Sequence, residues 1–188
     1  MKNDIEKIFS DVFNTVKDAV TLSDEIEQAA KIIIDCIKNG KKIVLFGNGG
    51  SAADAQHIAA EFIGRFQRER ESIAAISLTT DSSIITSLAN DYSFELIFSR
   101  QCESLVDTGD VVIGISTSGN SKNVSKGLET SKKKGAKTIS LLGNDGGEIK
   151  NNSNISIIVN SNNTARIQEV HRIIYHIICD LVEKELSK

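Results

Sequence analysis

Residues 42–55, KIVLFGNGGSAADA, and residues 111–124, VVIGISTSGNSKNV, decide the fold. Each is a short apolar run that ends in small polar residues and then opens a helix with serine. The pattern continues on either side. Residues 72–78, 137–142 and 155–159 are three further apolar runs of strand length. Helical spacing of apolar residues marks 51–66, 81–89, 93–106, the stretch up to Lys134, and 163–186. Strand, loop and helix in repetition predict a parallel sheet covered on both faces. The strands are continuous rather than alternating in hydrophobicity, as strands buried on both faces should be. The class is α/β, with five strands.

Residues 3–38 precede this alternation. Ile5, Ile8, Phe9, Val12, Phe13, Val16 and Val20 recur at helical spacing, as do Ile26, Ala29, Ala30, Ile33 and Ile34. Two amphipathic helices are expected, with Thr21 or Ser23 capping the second and Gly40 ending it. They need a surface to cover, either the chain's own sheet or a partner subunit.

The chain has 188 residues, no proline, and no composition break or linker, so one domain spanning 1–188 is expected. A net charge of -3 argues against a nucleic-acid partner, which calls for a basic footprint. Lys132, Lys133 and Lys134 read as the solvated last turn of a helix. No apolar run approaches the ~18 residues of a membrane span. Residues 1–11 carry charges throughout and lack an apolar core, so no secretory leader is expected. Cys36, Cys102 and Cys179 are widely spaced and without metal-binding spacing. They read as buried free thiols, consistent with a reducing, cytoplasmic setting.

The end of a parallel strand followed by a helix N-terminus is an anion site. Free N–H groups and the helix dipole both favour a phosphate there. Ser51, Ser116, Thr117, Ser118 and Ser121 add hydroxyl donors on two such loops, which points to a phosphorylated ligand. The plainer reading makes Ser51 and Ser121 helix caps and the glycines turn formers. Gly47, Gly49 and Ala52 also fit a dinucleotide fingerprint. That reading expects an acid about 20 residues on, and the first acid beyond the next strand is Asp81; it also leaves the second loop without a role.

His57, His171 and His176 are the only histidines. His57 and Glu61 lie one turn apart on one helix face, a spacing suited to two ligands of a zinc ion. They are flanked by Ala53, Ala60 and Gly64 rather than by long charged residues, which implies that another element packs close. In the last helix, His171 falls within the apolar arc of Ile167, Val170, Ile174, Ile177, Ile178 and Leu181 and reads as a core histidine. His176 and Gln168 fall toward the polar side, with Arg172, Cys179, Asp180 and Glu183. Gln168 and His176 are separated by about 12 Å along the axis. The two meet one ion only by reaching toward each other or by coming from different subunits.

FGNGGSAADAQHIAAEF at 46–62, LANDYSFE at 88–95, GISTSGNSKNV at 114–124 and ARIQEVHRIIYHI at 165–177 together resemble the phosphoheptose isomerases, within the SIS (sugar isomerase) domain group. The two loops alone mark the wider group; the HxxxE pair with the RIQExH…H ending is more specific. The resemblance implies an SIS-type three-layer sandwich whose five-stranded parallel sheet is flanked by helices. It implies a homotetramer with sites at subunit interfaces, the helices of 1–38 contributing to oligomerisation. The implied reaction converts sedoheptulose 7-phosphate to D-glycero-D-manno-heptose 7-phosphate, for lipopolysaccharide core or capsule. Carried over by motif, one zinc ion per subunit is held by His57, Glu61, Gln168 and His176. Substrate touches Asn48, Gly49, Gly50, Asn90, Asp91, Glu61 and Gln168, and its phosphate sits on Ser116, Thr117, Ser118 and Ser121 with Ser51 nearby.

Aldose–ketose isomerisation passes a proton between adjacent carbons through an enediol. Glu61 is assigned the carbon proton and His176 the oxygen proton. A carboxylate bound tightly to zinc is a poor base, so either Glu61 alternates between ligand and base or the metal is chiefly structural. The competing reading is a non-catalytic SIS protein that senses sugar phosphates or binds the replication initiator; such a protein does not need the metal set.

Overall fold

The computed structural model describes residues 1–187. The N-terminal pair is α1 (Lys2–Asp18) and α2 (Ser23–Lys38), joined by a 3-10 turn at Ala19–Leu22. The alternating part runs β1 (Ile43–Gly47), α3 (Gly50–Ile63), β2 (Ala75–Ser77), α4 (Ser82–Asp91), α5 (Ile97–Leu105), β3 (Val111–Ser116), α6 (Lys122–Lys133), β4 (Lys137–Gly143), β5 (Ile155–Val159) and α7 (Thr164–Leu186). All five strands are parallel, in the order β2-β1-β3-β4-β5.

The pleat of β1 shows the three layers. Ile43 and Leu45 point into one core, among Ile33 of α2, Ile58 and Phe62 of α3, and Ile174 and Ile178 of α7. Val44 and Phe46 point into the other, among Phe98 of α5 and Val124 and Leu128 of α6. Both faces are covered, so the strands read as unbroken apolar runs.

Several boundaries differ from expectation. Neither Thr21 nor Ser23 caps α2. Their hydroxyls donate backwards, to the carbonyls of Asp18 (2.7 Å) and Val20 (2.6 Å), because the 3-10 turn presents those carbonyls first. β2 shrinks to Ala75–Ser77 because it is an edge strand, with β1 its only neighbour. α3 stops at Ile63 rather than near Phe66. Gly64 leaves helical geometry there, and Arg70 folds back to donate to the carbonyls of Glu61 (2.7 Å) and Phe62 (2.8 Å). The orphan carbonyls at the end of α3 are thus satisfied by a side chain.

Of the N-terminal pair, α2 buries Ile26, Ala29, Ala30, Ile33 and Cys36 in the chain's own core. α1 buries nothing. Ile5, Ile8, Phe9 and Phe13 along it are 50–70% exposed. Arg166 of α7 reaches it, donating to the carbonyl of Ile8. α4 likewise has no buried residue. Ile177, expected in the apolar arc of α7, is 42% exposed. All three cysteines are buried and free; burial pushes Cys36 and Cys102 up to about 11 and Cys179 up to about 12, which leaves the thiols protonated. No helix among the described residues is long and apolar enough to cross a membrane.

Candidate active site

The parallel order puts the ends of β1 and β3 side by side, so both serine loops open at the same edge of the sheet. In the first loop Gly49 has φ +55, a conformation in which glycine carries no steric penalty, and it starts α3. Gly47 lies so close to Ser51 and to the Ile115 carbonyl that a Cβ there would collide with both. Ser51 is buried, in the first turn of α3.

In the second loop the Ser116 hydroxyl donates to Ser121 Oγ at 3.0 Å. Ser121 is the N-cap of α6 by position, but its hydroxyl makes no capping bond, so the plain capping role does not account for it. Thr117 is half-buried and Ser118 exposed. The turn after β4 supports this loop from behind. Asn144, at φ +54, donates from Nδ2 to the Thr117 carbonyl at 3.0 Å. The Glu148 N–H donates to Asn120 Oδ1 at 3.1 Å, and the Ile149 N–H to the Gly119 carbonyl at 3.0 Å.

The two loops are joined by a residue the sequence reading missed. Asn123, buried in the first turn of α6, exchanges two hydrogen bonds with Asn48, each 2.9 Å long. A second asparagine just after the serines was the available signal.

α3 and α7 run parallel and pack along their length. Gln168 lies against Gly50, where a Cβ would run into its amide nitrogen. Further along, Arg172 meets Asp54, and His176 meets both His57 and Phe66 by ring contact. The close-packed neighbour expected beside His57 and Glu61 is therefore α7 of the same chain. His57, Glu61 and His176 each offer a ligand atom within 4.8 Å of the others. The His57 Nε2 to Glu61 Oε1 distance is 2.8 Å. Both side chains are partly enclosed, at 37% and 21% exposure. Burial, together with the neighbouring His57, holds His176 below the ordinary histidine value and keeps its imidazole neutral at neutral pH, with a lone pair to donate.

Two imidazoles and one carboxylate form a nitrogen–oxygen donor set suited to a divalent transition ion with an open coordination position. The residues present fit a metal. Of the four ligands carried over by motif, the chain gathers three around one point. Gln168 sits at the loop end of the same helix, against Gly50. Asn90 and Asp91 lie exposed at the end of α4, where Asn90 Nδ2 donates to Asp91 Oδ1 at 2.8 Å. His171 is fully buried, with Nε2 2.9 Å from the Leu142 carbonyl, and burial lowers its pKa; it is the core histidine expected.

Beside the cluster stands a second missed residue. Asp54 is 2% exposed and accepts from Arg172 Nη2 at 3.0 Å and from the Tyr175 hydroxyl at 3.2 Å. Burial and the Asp54 charge push Tyr175 up to about 12, so it stays protonated. The sequence carries only a partial signal: Asp54, His57 and Glu61 fall on one helical stripe, with nothing to show that the aspartate is interior.

Known proteins resemble this chain over its whole length. A family model described as the SIS domain matches residues 8–143. A phosphoheptose isomerase of Citrifermentans bemidjiense is 57% identical over 165 residues, covering 88% of this chain and 86% of that protein. One from Aliarcobacter butzleri is 47% identical over 188 residues, the full length of both. The solved phosphoheptose isomerase of Neisseria gonorrhoeae superposes with a TM-score of 0.91 at 39% identity, covering 97% of this chain and 98% of the other. Identity of this order, over a fold shared end to end, means that the chain belongs to the SIS-domain family and, within it, to the phosphoheptose isomerases.

Proposed function

We propose that this protein interconverts sedoheptulose 7-phosphate and D-glycero-D-manno-heptose 7-phosphate, in the cytoplasm, as a step of heptose biosynthesis for lipopolysaccharide core or capsule. The observation that carries the reading is the convergence of His57, Glu61 and His176 beside a pair of serine loops. A phosphate sensor needs the loops alone. The cluster supplies what proton transfer at carbon requires.

The loop residues Ser116, Thr117, Ser118 and Ser121, with Ser51, hold the phosphate. Asn48, Gly49, Gly50, Asn90, Asp91 and Gln168 contact the sugar. Zinc, one ion per subunit, would be held by His57, Glu61 and His176 with Gln168 as the fourth ligand, Glu61 and His176 serving at any one step either as ligand or as proton carrier. When bound it supplies Lewis-acid polarisation of the carbonyl. In the ketose-to-aldose direction Glu61 takes a proton from C1, while neutral His176 takes the C1 hydroxyl proton and passes it to the C2 oxygen. Glu61 then returns its proton to C2. Each group ends as it began. The phosphate anchor converts a loose encounter into a fixed geometry at the reacting carbons. Residues 1–188 act as one SIS domain, and the exposed apolar row of α1 supports a homotetramer in which 1–38 joins the subunits.

Turnover of sedoheptulose 7-phosphate by purified protein tests this directly. Aldoheptose phosphate should appear, fall on chelation and return with added zinc. Substrate left untouched at full zinc occupancy would sink the assignment. A second expectation concerns Gly119, which has φ +68 and whose Cβ would strike the Gly146 backbone. Gly119→Ala must strain or shift the phosphate loop. A left-handed alanine costs ~1–2 kcal/mol, so KM should rise about tenfold, with kcat changed less. An unchanged KM would show that this loop does not hold the substrate.

A further inference from the structure

Asp54, Arg172 and Tyr175 belong to none of the roles above, yet they form the most connected polar group beside the cluster. Donor and acceptor counting shows what they do. Asp54 is a buried carboxylate and only accepts; Arg172 only donates. A tyrosine hydroxyl has one proton and two lone pairs. Its proton goes to Asp54 Oδ1 (3.2 Å), and one lone pair takes the N–H of Arg172 Nε (3.0 Å). What remains is one lone pair, and the next polar atom is His57 Nδ1, at 3.5 Å. That nitrogen can meet a lone pair only by carrying the hydrogen itself. Its partner Nε2 is then left bare, facing Glu61 Oε1 at 2.8 Å and the His176 ring. Two electron-rich atoms at that separation need a positive charge between them, which a proton or a metal ion supplies.

We propose that Asp54 and Arg172 orient the Tyr175 hydroxyl, and that Tyr175 fixes the tautomer and ring direction of His57, so that the cluster is set to receive a metal ion. The three are positioning residues, acting through His57. The inference rests on the metal reading of the cluster and adds to it the groups that prepare it. Outer partners of this kind commonly govern metal affinity by 10–100-fold. The arrangement also explains a buried carboxylate on a helix whose other buried residues are small or apolar. Asp54 needs Arg172 for its charge, and the pair together leaves the hydroxyl a single direction.

The test is a titration of metal-stripped, full-length protein with Co2+, followed by visible absorption, and with Zn2+ by competition. Tyr175→Phe keeps the ring and removes the oxygen. It should weaken binding of both ions about 10–100-fold and alter the Co2+ absorption bands. Asp54→Ala, which removes the acceptor of the Tyr175 proton, should act in the same sense. Urea unfolding of the metal-free variants separates this from a structural role. A lower midpoint with wild-type affinity and spectrum overturns the proposal. If Tyr175→Phe does not fold, Arg172→Lys decides: the side chain is 56% exposed, the ammonium keeps a positive charge beside Asp54, and the Nε–H donated to Tyr175 is lost. Wild-type protein that binds neither ion overturns the metal reading and this inference with it. Wild-type binding unaffected by the variants overturns the inference alone.

Discussion

Glu61→Gln is expected to lower kcat for sedoheptulose 7-phosphate by about 10²- to 10⁴-fold, the usual weight of a positioned acid–base group. The amide keeps the shape of the carboxylate and still has a polar atom to set against His57 across the 2.8 Å gap. It cannot take a proton from carbon. KM should move little, since the phosphate loop is untouched. Initial rates and metal content measured on one preparation separate the two roles open to this residue. Lost turnover with full metal identifies the base. Lost turnover with lost metal identifies the ligand. Wild-type turnover at full metal would remove Glu61 from the chemistry.

Glu183→Ala should be the most destabilising single change at the site's margin. This carboxylate is 1% exposed and accepts from the N–H groups of Phe66 (2.6 Å), Gln67 (2.8 Å) and Arg68 (2.9 Å), with Arg70 Nε at 3.2 Å. Its removal leaves three N–H groups without their acceptor and a buried guanidinium without its counter-charge. Breaking a buried ion pair from one side typically costs about 3–5 kcal/mol. The urea midpoint should fall accordingly, and a change within ~0.5 kcal/mol, typical of surface positions, would contradict the account. The pH dependence has a definite sign. Burial alone would raise the Glu183 pKa, but the three N–H donors and Arg70 outweigh it and hold it below the ordinary value of 4.5. A carboxylate depressed in the folded state stabilises fully above its unfolded value. That contribution is lost as pH falls below 4.5 and through the lower folded value. The variant should therefore show a flatter stability profile in acid than the wild type.

Much of this was readable in the chain. Apolar runs closed by small residues gave the five strands, and the 3.6-residue period put His57 beside Glu61 and His171 in the core. The polar side of α7 had to be covered by something, and α3 covers it. The helical wheel could not say that Cys179 and Glu183 on that side are almost fully buried, because their cover is the 66–70 loop, more than a hundred residues away in sequence. Nor could it separate α1, whose amphipathic pattern resembles that of α2, from a core helix. Periodicity reports an apolar face and is silent about what meets it. Asp54 was overlooked for a related reason. A lone aspartate on a helix is ordinarily solvated, and only the arrival of Arg172 and Tyr175 from α7 makes it interior.

The paired amides of Asn48 and Asn123 have a consequence for which sugars the site accepts. Adjacent parallel strands lie ~4.8 Å apart, and the doubly bonded asparagines lock the loops that follow them into one rigid body. The span from the serine hydroxyls to Glu61 is then fixed in advance, like the jaws of a set gauge. With the phosphate on the serine loops as proposed, a shorter sugar phosphate would seat its phosphate as well as a heptose does but present the wrong carbon to the carboxylate. Discrimination by carbon count would then reside in how the amide pair spaces the two loops, and not only in the groups that touch the sugar.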